Sequence, residues 1–322
     1  MTRHFLDVDD LSAAELGRVL DLAGAYASGD AVGQPLRGRG AALVFEKPSA
    51  RTRSSTELAV AALGGHPVYI QGPEVGIDSR ETAEDVARTL ACYHAVICAR
   101  VLDHGVLVRM AGALDEVAST GVGGHPGGVP VVNLLSDLAH PCQALADLLT
   151  LRQEFGELAG RTLTFVGDAN NVWRSLAIAC TMAGMRSRLA APEGYGPSPD
   201  DLARLSRLGA QIEVGTDPAA AVAGADAVYT DVWTSMGQEE EAARRLEDFA
   251  GFTVDESLLE VAGGDAVFLH CLPAHRGEEV TDAVLEGGRS RVWRQAANRE
   301  HAVRGLLAWL LTEGSERSGA RP

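Results

Sequence analysis

Phe45-Glu-Lys-Pro-Ser-Ala-Arg-Thr-Arg53 closes an apolar run and opens a helical pattern, with hydroxyls and guanidiniums crowded into the junction. N–H groups at a helix start lack helical partners and lie at the positive end of the helix dipole, so such a turn holds an anion. Ser49 and Thr52 add hydroxyl donors, while Arg51 and Arg53 add planar, permanently charged forks. That chemistry suits a small phosphorylated ligand; the plainer alternative is a charged first helical turn. Arg100 ends another apolar run, either as a solvated strand terminus or as a second cation for the same anion. His140-Pro-Cys-Gln143 puts Pro141 at a first helical position, where its missing N–H costs nothing. His140 and Gln143 would then lie together, able to donate to a carbonyl oxygen, unless His140 is simply a cap. Asp137 in the same loop reads as a turn residue.

The second half carries a different chemistry. Phe165-Val-Gly-Asp-Ala-Asn-Asn171 is a strand turning tightly into a helix, but it lacks the G-x-G-x-x-G spacing of a dinucleotide site. Asn170 and Asn171 suit a zwitterion, since an amide pairs with both carboxylate and ammonium; an Asn pair also marks turns. Asp231-Val-Trp-Thr-Ser-Met-Gly-Gln-Glu239 sets a carboxylate just past an apolar strand, where it is costly unless a cation such as an amine joins it. Glu239–Glu241 reads as a solvated helix start. Phe268-Leu-His-Cys-Leu-Pro-Ala-His-Arg-Gly277 presents a thiol at a strand end. A buried inert thiol is the usual alternative. His270, Cys271 and His275 could be read as metal ligands, but they match no zinc spacing, so no metal is expected there.

These residues need elements to hold them. Strand-length apolar runs occur at Ala41–Glu46, Pro67–Gln71, Ala95–Arg100, Pro130–Leu134, Thr162–Gly167, Ser187–Ala191, Gln211–Gly215, Ala227–Thr230 and Ala266–His270. Helical patterns such as Thr52–Leu63, Glu81–Tyr93 and Pro141–Phe155 separate them. Apolar strands alternating with helices predict an α/β fold with two doubly wound parallel sheets, each covered on both faces. Ligands of such sheets bind beyond the carboxyl ends of the strands. Lys47, Ser49, Arg100, His140, Asp168, Asn171, Asp231, His270 and Cys271 fall at those ends, which implies a cleft between two domains. The expected division is residues 1–142 completed by a final helix at 296–312, then 143–295, with a disordered tail at 313–322. The glycine-dense Ser119–Val129 reads as a mobile loop.

Bulk composition narrows the partners. A net charge of −16, from 28 basic and 44 acidic residues, argues against nucleic acid or an acidic membrane surface. Five cysteines, an odd count lacking Cys-x-x-Cys, read as reduced thiols. A polar N-terminus and the lack of a long apolar span point to a cytoplasmic protein.

Together, Ser49-Ala-Arg-Thr-Arg53, His140-Pro-Cys-Gln143, Asp231-Val-Trp-Thr-Ser-Met-Gly237 and His270-Cys-Leu-Pro273 resemble the ornithine branch of the aspartate/ornithine carbamoyltransferase family. The resemblance runs from Phe5 to Leu311. It implies transfer of the carbamoyl group of carbamoyl phosphate to the δ-amine of L-ornithine, giving L-citrulline and phosphate, in arginine metabolism and biosynthesis. It implies a homotrimer, or a higher assembly of trimers, with active sites between subunits. Ser49, Arg51, Thr52 and the backbone at Ala50 are assigned to carbamoyl phosphate, with Arg100, His140, Gln143 and Arg299 on its phosphate and carbonyl oxygens. Asn171, Asp231, Ser235, Met236 and Cys271 are assigned to ornithine, and Cys271 with the Leu272 carbonyl to the reacting centre beside carbamoyl phosphate. Arg51, Arg100, His140, Asp231 and Cys271 would carry the chemistry.

Three departures from the family pattern stand out. Ala50 replaces the usual Thr; Glu74–Arg80 differs from the loop that reaches a neighbouring subunit's phosphate; and Trp173-Arg174 would reshape the amino-acid pocket. Those departures leave open another acceptor, such as putrescine or an acylated ornithine, or a non-catalytic binding homologue. The Phe165–Asn171 turn keeps a dehydrogenase reading open.

Overall fold

The computed structural model describes residues 2–30, 33–120, 128–234 and 239–314. The chain forms two units, Met1–Leu145 with Asn298–Pro322, and Ala146–Ala297. Unit 1 contains α1 Ala13–Ser28, β1 Gly40–Phe45, α2 Ala50–Ala62, β2 His66–Gln71, α3 Gly72–Val75, α4 Ala83–Ala91, β3 His94–Arg100, α5 His104–Thr120 and β4 Val131–Leu135. Next comes α6, Pro141–Phe155, which runs through the unit boundary. Unit 2 continues with β5 Thr162–Val166, α7 Asn171–Met182, β6 Arg186–Ala190, α8 Pro199–Arg207, β7 Ile212–Gly215, α9 Pro218–Val222 and β8 Ala227–Thr230. It ends with α10 Ala242–Asp248, α11 Glu256–Ala262, β9 Val267–His270 and α12 Asp282–Leu285. Helix α13, Val292–Leu311, then crosses back into unit 1.

Each expected strand forms with its ends within one residue of the expected ones. Strands β1, β3, β5, β8 and β9 are buried along nearly their whole length, as strands covered on both faces must be, while the edge strands β2 and β7 stay partly exposed. Thus Leu43, Val44, Val96 and Ile97 of the first sheet are fully buried, and so are Val166, Val228 and Phe268 of the second. The last helix begins at Val292, four residues before expected. Fully buried Val292 beside 56% exposed Trp293 reveals an amphipathic turn that the aromatic had disguised.

Both sheets are parallel, in the orders β2-β1-β3-β4 and β7-β6-β5-β8-β9. The order in which strands are added therefore reverses between β1 and β3 in unit 1, and between β5 and β8 in unit 2. Helices leaving two such neighbours depart to opposite faces, which opens a crevice at their carboxyl ends. In register, Phe45 lies opposite Arg100, and Thr230 opposite both Val166 and His270. The chemistry-bearing segments of each unit thus leave neighbouring strands at one edge.

The expected tail is shortened at its start: Glu313 binds Arg18 at 2.8 Å. Residues 315–322 lie outside the described residues, as do 121–127 of the expected glycine-dense loop.

Candidate active site

Ser49 caps α2, its Oγ accepting the Thr52 N–H at 3.3 Å, and donates to Thr52 Oγ1 at 3.1 Å. The first N–H groups of α2 have no carbonyl partners inside the helix and face the edge where β1 ends. Arg100 is the last residue of β3 and only 5% exposed. His140 precedes α6, its carbonyl accepting the Gln143 and Ala144 N–H groups at 3.1 and 3.3 Å. Arg299 of α13 completes this edge. It donates to Gln143 Oε1 and to Thr52 Oγ1 (3.0 Å), and its Nη1 reaches His140 Nε2 at 3.5 Å.

Arg51, Arg100 and Arg299 lie near enough for their charges to be felt by one another and by His140. Burial, then Arg299 and Arg51, lowers the Arg100 guanidinium to about 10. Burial, then Arg299, Arg100 and Arg51, holds His140 well below the ordinary histidine value, so its ring is neutral. Arg100 Nε, buried, has no hydrogen-bond partner among the described residues. Like charges at a desolvated strand end are unfavourable unless an anion joins them. The arrangement is built to receive one.

Stability should report this burial. His4, His94, His140 and His301 are all lowered, in each case first by burial. The unfolded chain takes up protons on these residues as pH falls through 6.5, and the folded chain resists. Protons therefore favour unfolding, and stability present above that pH is lost below it. The Tm of the unliganded protein should fall steadily from about pH 7.5 to about pH 5.5, and a flat or rising profile would contradict this.

Unit 2 presents the complementary chemistry. Asp231 follows β8 and is 7% exposed. Its Oδ2 accepts from Asn170 Nδ2 at 2.9 Å and its Oδ1 from the Cys271 thiol at 3.0 Å. Asn170 caps α7, its Oδ1 accepting the Val172 and Trp173 N–H groups at 3.0 Å each. One amide thus starts the helix and orients the carboxylate. Leu272 sits at φ 61, in the left-handed region, directly after Cys271.

Comparison with known proteins decides the family. A model described as the carbamoyl-P binding domain of aspartate/ornithine carbamoyltransferase matches residues 3–153, and one for its Asp/Orn binding domain matches residues 159–310. The chain belongs to the aspartate/ornithine carbamoyltransferase family. It is 49% identical over 316 residues to the ornithine carbamoyltransferase of Acidothermus cellulolyticus, covering 97% of each chain. It resembles the crystal structure of the Thermus thermophilus ornithine carbamoyltransferase with TM-score 0.84 and 44% identity, covering 97% of this chain and 100% of that one. The Pyrococcus furiosus enzyme superposes with TM-score 0.86 and 40% identity, covering 99% and 98%.

Within this carbamoyltransferase fold, Ser49, Ala50, Arg51, Thr52, Arg100, His140, Gln143 and Arg299 gather at the carboxyl edge of the unit 1 sheet, where Arg51 and Ala50 are exposed. Asp231, Cys271 and Leu272 gather at the carboxyl edge of the unit 2 sheet. Ser235 and Met236 lie outside the described residues. Arg53 departs from expectation. It lies about 200° round the helix from Arg51, binding Glu57 at 2.8 Å and stacking over Tyr69 at 3.8 Å. Asn171 is the first residue of α7, whereas Asn170 is the one bonded to Asp231. Asp137 accepts the His104 N–H at 2.8 Å and so starts α5.

The three departures have the following local settings. Ala50 is an exposed first helical residue, so its missing hydroxyl leaves the turn intact. In the Glu74–Arg80 segment Asp78 pairs with Arg109, and Arg80 Nη1 donates to the Glu74 carbonyl at 3.3 Å. Trp173 is 1% exposed within unit 2, and Arg174 binds Asp201 at 2.9 Å. Asp231, His270 and Cys271 offer donor atoms within 4.8 Å of one another, and so do His275, Glu278 and Glu279. Both ring nitrogens of His270 are already committed, one to the Leu272 N–H and one to Glu279, which removes it as a metal ligand.

Sequence reasoning missed Arg245. This 6% exposed residue of α10 binds Asp168 at 2.7 Å and the Trp233 carbonyl at 2.9 Å, and lies 5.0 Å over the Tyr195 ring. It ties the turn after β5 to the segment after β8, the two that present Asn170 and Asp231. Nothing in the local pattern around Arg244-Arg245 singles it out. Arg245→Ala leaves the half-buried Asp168 carboxyl without its cation and should cost about 2 kcal/mol of stability. Denaturant unfolding would measure this, and a loss below about 0.5 kcal/mol would make the pair an ordinary surface one.

Proposed function

We propose that this chain transfers the carbamoyl group of carbamoyl phosphate to the δ-amine of L-ornithine, giving L-citrulline and phosphate. The observation that carries the reading is the gathering of Arg51, Arg100 and Arg299 round a neutral His140 at a helix start. A dianionic phosphate answers those charges, and the α2 N–H groups with Ser49 and Thr52 answer its oxygens. His140 and Gln143 are proposed on the carbamoyl carbonyl, and Arg100 on the oxyanion that develops there.

An alkyl ammonium titrates near ~10.4 and cannot attack while protonated, so the acceptor must be held as the free amine. Asp231 is proposed to anchor the α-ammonium, with Ser235, Met236 and the Asn170-Asn171 pair around the amino-acid end. The δ-nitrogen then lies by the Cys271 thiol and Leu272 carbonyl, whose sulfur and oxygen accept hydrogen bonds from its N–H groups; as the C–N bond forms, one of its protons passes to the departing phosphate and the other stays in citrulline. The carbamoyl C–O bond breaks and phosphate leaves with the electron pair, its charge taken up by Arg51 and Arg299. Holding both reactants in line supplies up to ~7–11 kcal/mol of the barrier reduction in favourable cases.

We further infer a cytoplasmic homotrimer, or higher assembly of trimers, serving arginine biosynthesis. The family supports the assembly. Among the described residues the cysteines form no disulfide and no helix is long and apolar enough to cross a membrane. The test is citrulline and phosphate release from carbamoyl phosphate plus ornithine, with light scattering for the assembly. Carbamoyl phosphate binding without citrulline formation would overturn the activity.

A further inference from the structure

We propose that His270 is a positioning residue for the transfer. Its Nδ1 holds the Leu272 N–H, and that contact sets the Leu272 carbonyl and Cys271 thiol beside the acceptor amine. The inference rests on the activity proposed above.

His270 ends β9, is 1% exposed, and its own N–H donates to Gln295 Oε1 at 2.9 Å. The Leu272 N–H points at Nδ1 from 2.9 Å. A ring nitrogen that accepts carries no hydrogen, so the imidazole hydrogen sits on Nε2. Nε2 lies 3.0 Å from Glu279 Oε1, which also accepts the His275 N–H at 2.7 Å. Both side chains of the His270–Glu279 pair are 0% exposed. Glu279 thereby selects the tautomer, and the tautomer supplies the acceptor.

Leu272 needs that acceptor. At φ 61 its Cβ crowds the following carbonyl oxygen, an unfavourable conformation for a residue with a side chain. The net contribution of a single hydrogen bond is of the same size as that strain, so the Nδ1 contact can offset it. Without it Leu272 relaxes to negative φ and its carbonyl swings away. Cys271 shares the turn, so its 3.0 Å contact with Asp231 is lost in the same movement.

The test compares His270→Asn with His270→Leu. An Asn Oδ1 can accept the N–H two residues on, as in an Asx turn, while Leu fills the space and accepts nothing. His270→Leu is expected to lose roughly 10²-fold in kcat/KM for ornithine, the effect of an ångström-scale misplacement. His270→Asn is expected to recover most of that loss although it forfeits the Glu279 bond and melts no higher than the Leu variant. Inorganic phosphate binding should match wild type in both, reporting an intact unit 1. Equal kcat/KM in the two variants, or activity that simply follows Tm, overturns the proposal. Imidazole 15N shifts of the wild-type protein give a reading free of variants: an Nε2–H tautomer at His270 supports it and Nδ1–H overturns it. A wild type that makes no citrulline overturns the activity and this inference with it; an active wild type with equal variants overturns this inference alone.

Discussion

Replacing Arg51 with alanine should weaken carbamoyl phosphate binding by roughly 10²–10³-fold, the loss of two charge-assisted hydrogen bonds. Arg51 is the exposed cation of its site, whereas Arg100 and Arg299 are 5% and 6% exposed. The unliganded protein should respond in the opposite sense. Arg51 raises the cost of keeping Arg100 charged and of protonating His140, so its removal relieves repulsion. Tm without ligand should hold or rise while affinity collapses, as expected where a binding site is kept at the expense of stability. Arg51→Lys should fall between, retaining charge without the planar fork. Calorimetric titration with carbamoyl phosphate measures the first effect, and wild-type affinity in Arg51→Ala would remove this residue from the site.

Asp231→Asn should lower kcat/KM for ornithine by about 10²–10³-fold, as when one member of a buried charge pair is removed. The loss should exceed simple charge deletion. Both Asp231 oxygens already accept, from Asn170 and from Cys271, so an amide must turn its NH2 toward one of those donors. Carbamoyl phosphate binding, which belongs to unit 1, should be unchanged. Steady-state kinetics with ornithine, beside direct phosphate-side binding, separates the two. An unaltered ornithine KM would show that the ammonium is held elsewhere.

Much of this site was legible because its residues come in short runs at the junctions of elements. A hydroxyl and two guanidiniums at a helix start, or a carboxylate one residue past an apolar strand, are local signals. They also misled where local spacing says nothing about direction. Arg53 looked equivalent to Arg51 until the helix carried it round to Glu57 and Tyr69. The adjacent amides at 170 and 171 could not be ranked until the helix start fixed which one caps and reaches Asp231. Long-range partners left no local trace. Arg299 meets Thr52 across 247 positions, and Arg245 meets Asp168 across 77. The family resemblance supplied the first of these, and only coordinates revealed the second.

Read alone, the residues determined the strand and helix positions, the α/β class and which chemistries the strand ends carry. The elements follow from the 3.6-residue helical period and from continuous apolar runs of strand length, and the chemistries from the residue types at their junctions. Strand order, the reversal between β1 and β3 and between β5 and β8, and the choice of which cations converge were decided only in three dimensions. Parallel strands pair through crossovers whose ends are far apart in the chain, so adjacency depends on the packing of both sheet faces. The same packing turns His270 from one more buried histidine into the acceptor that holds Leu272 at positive φ.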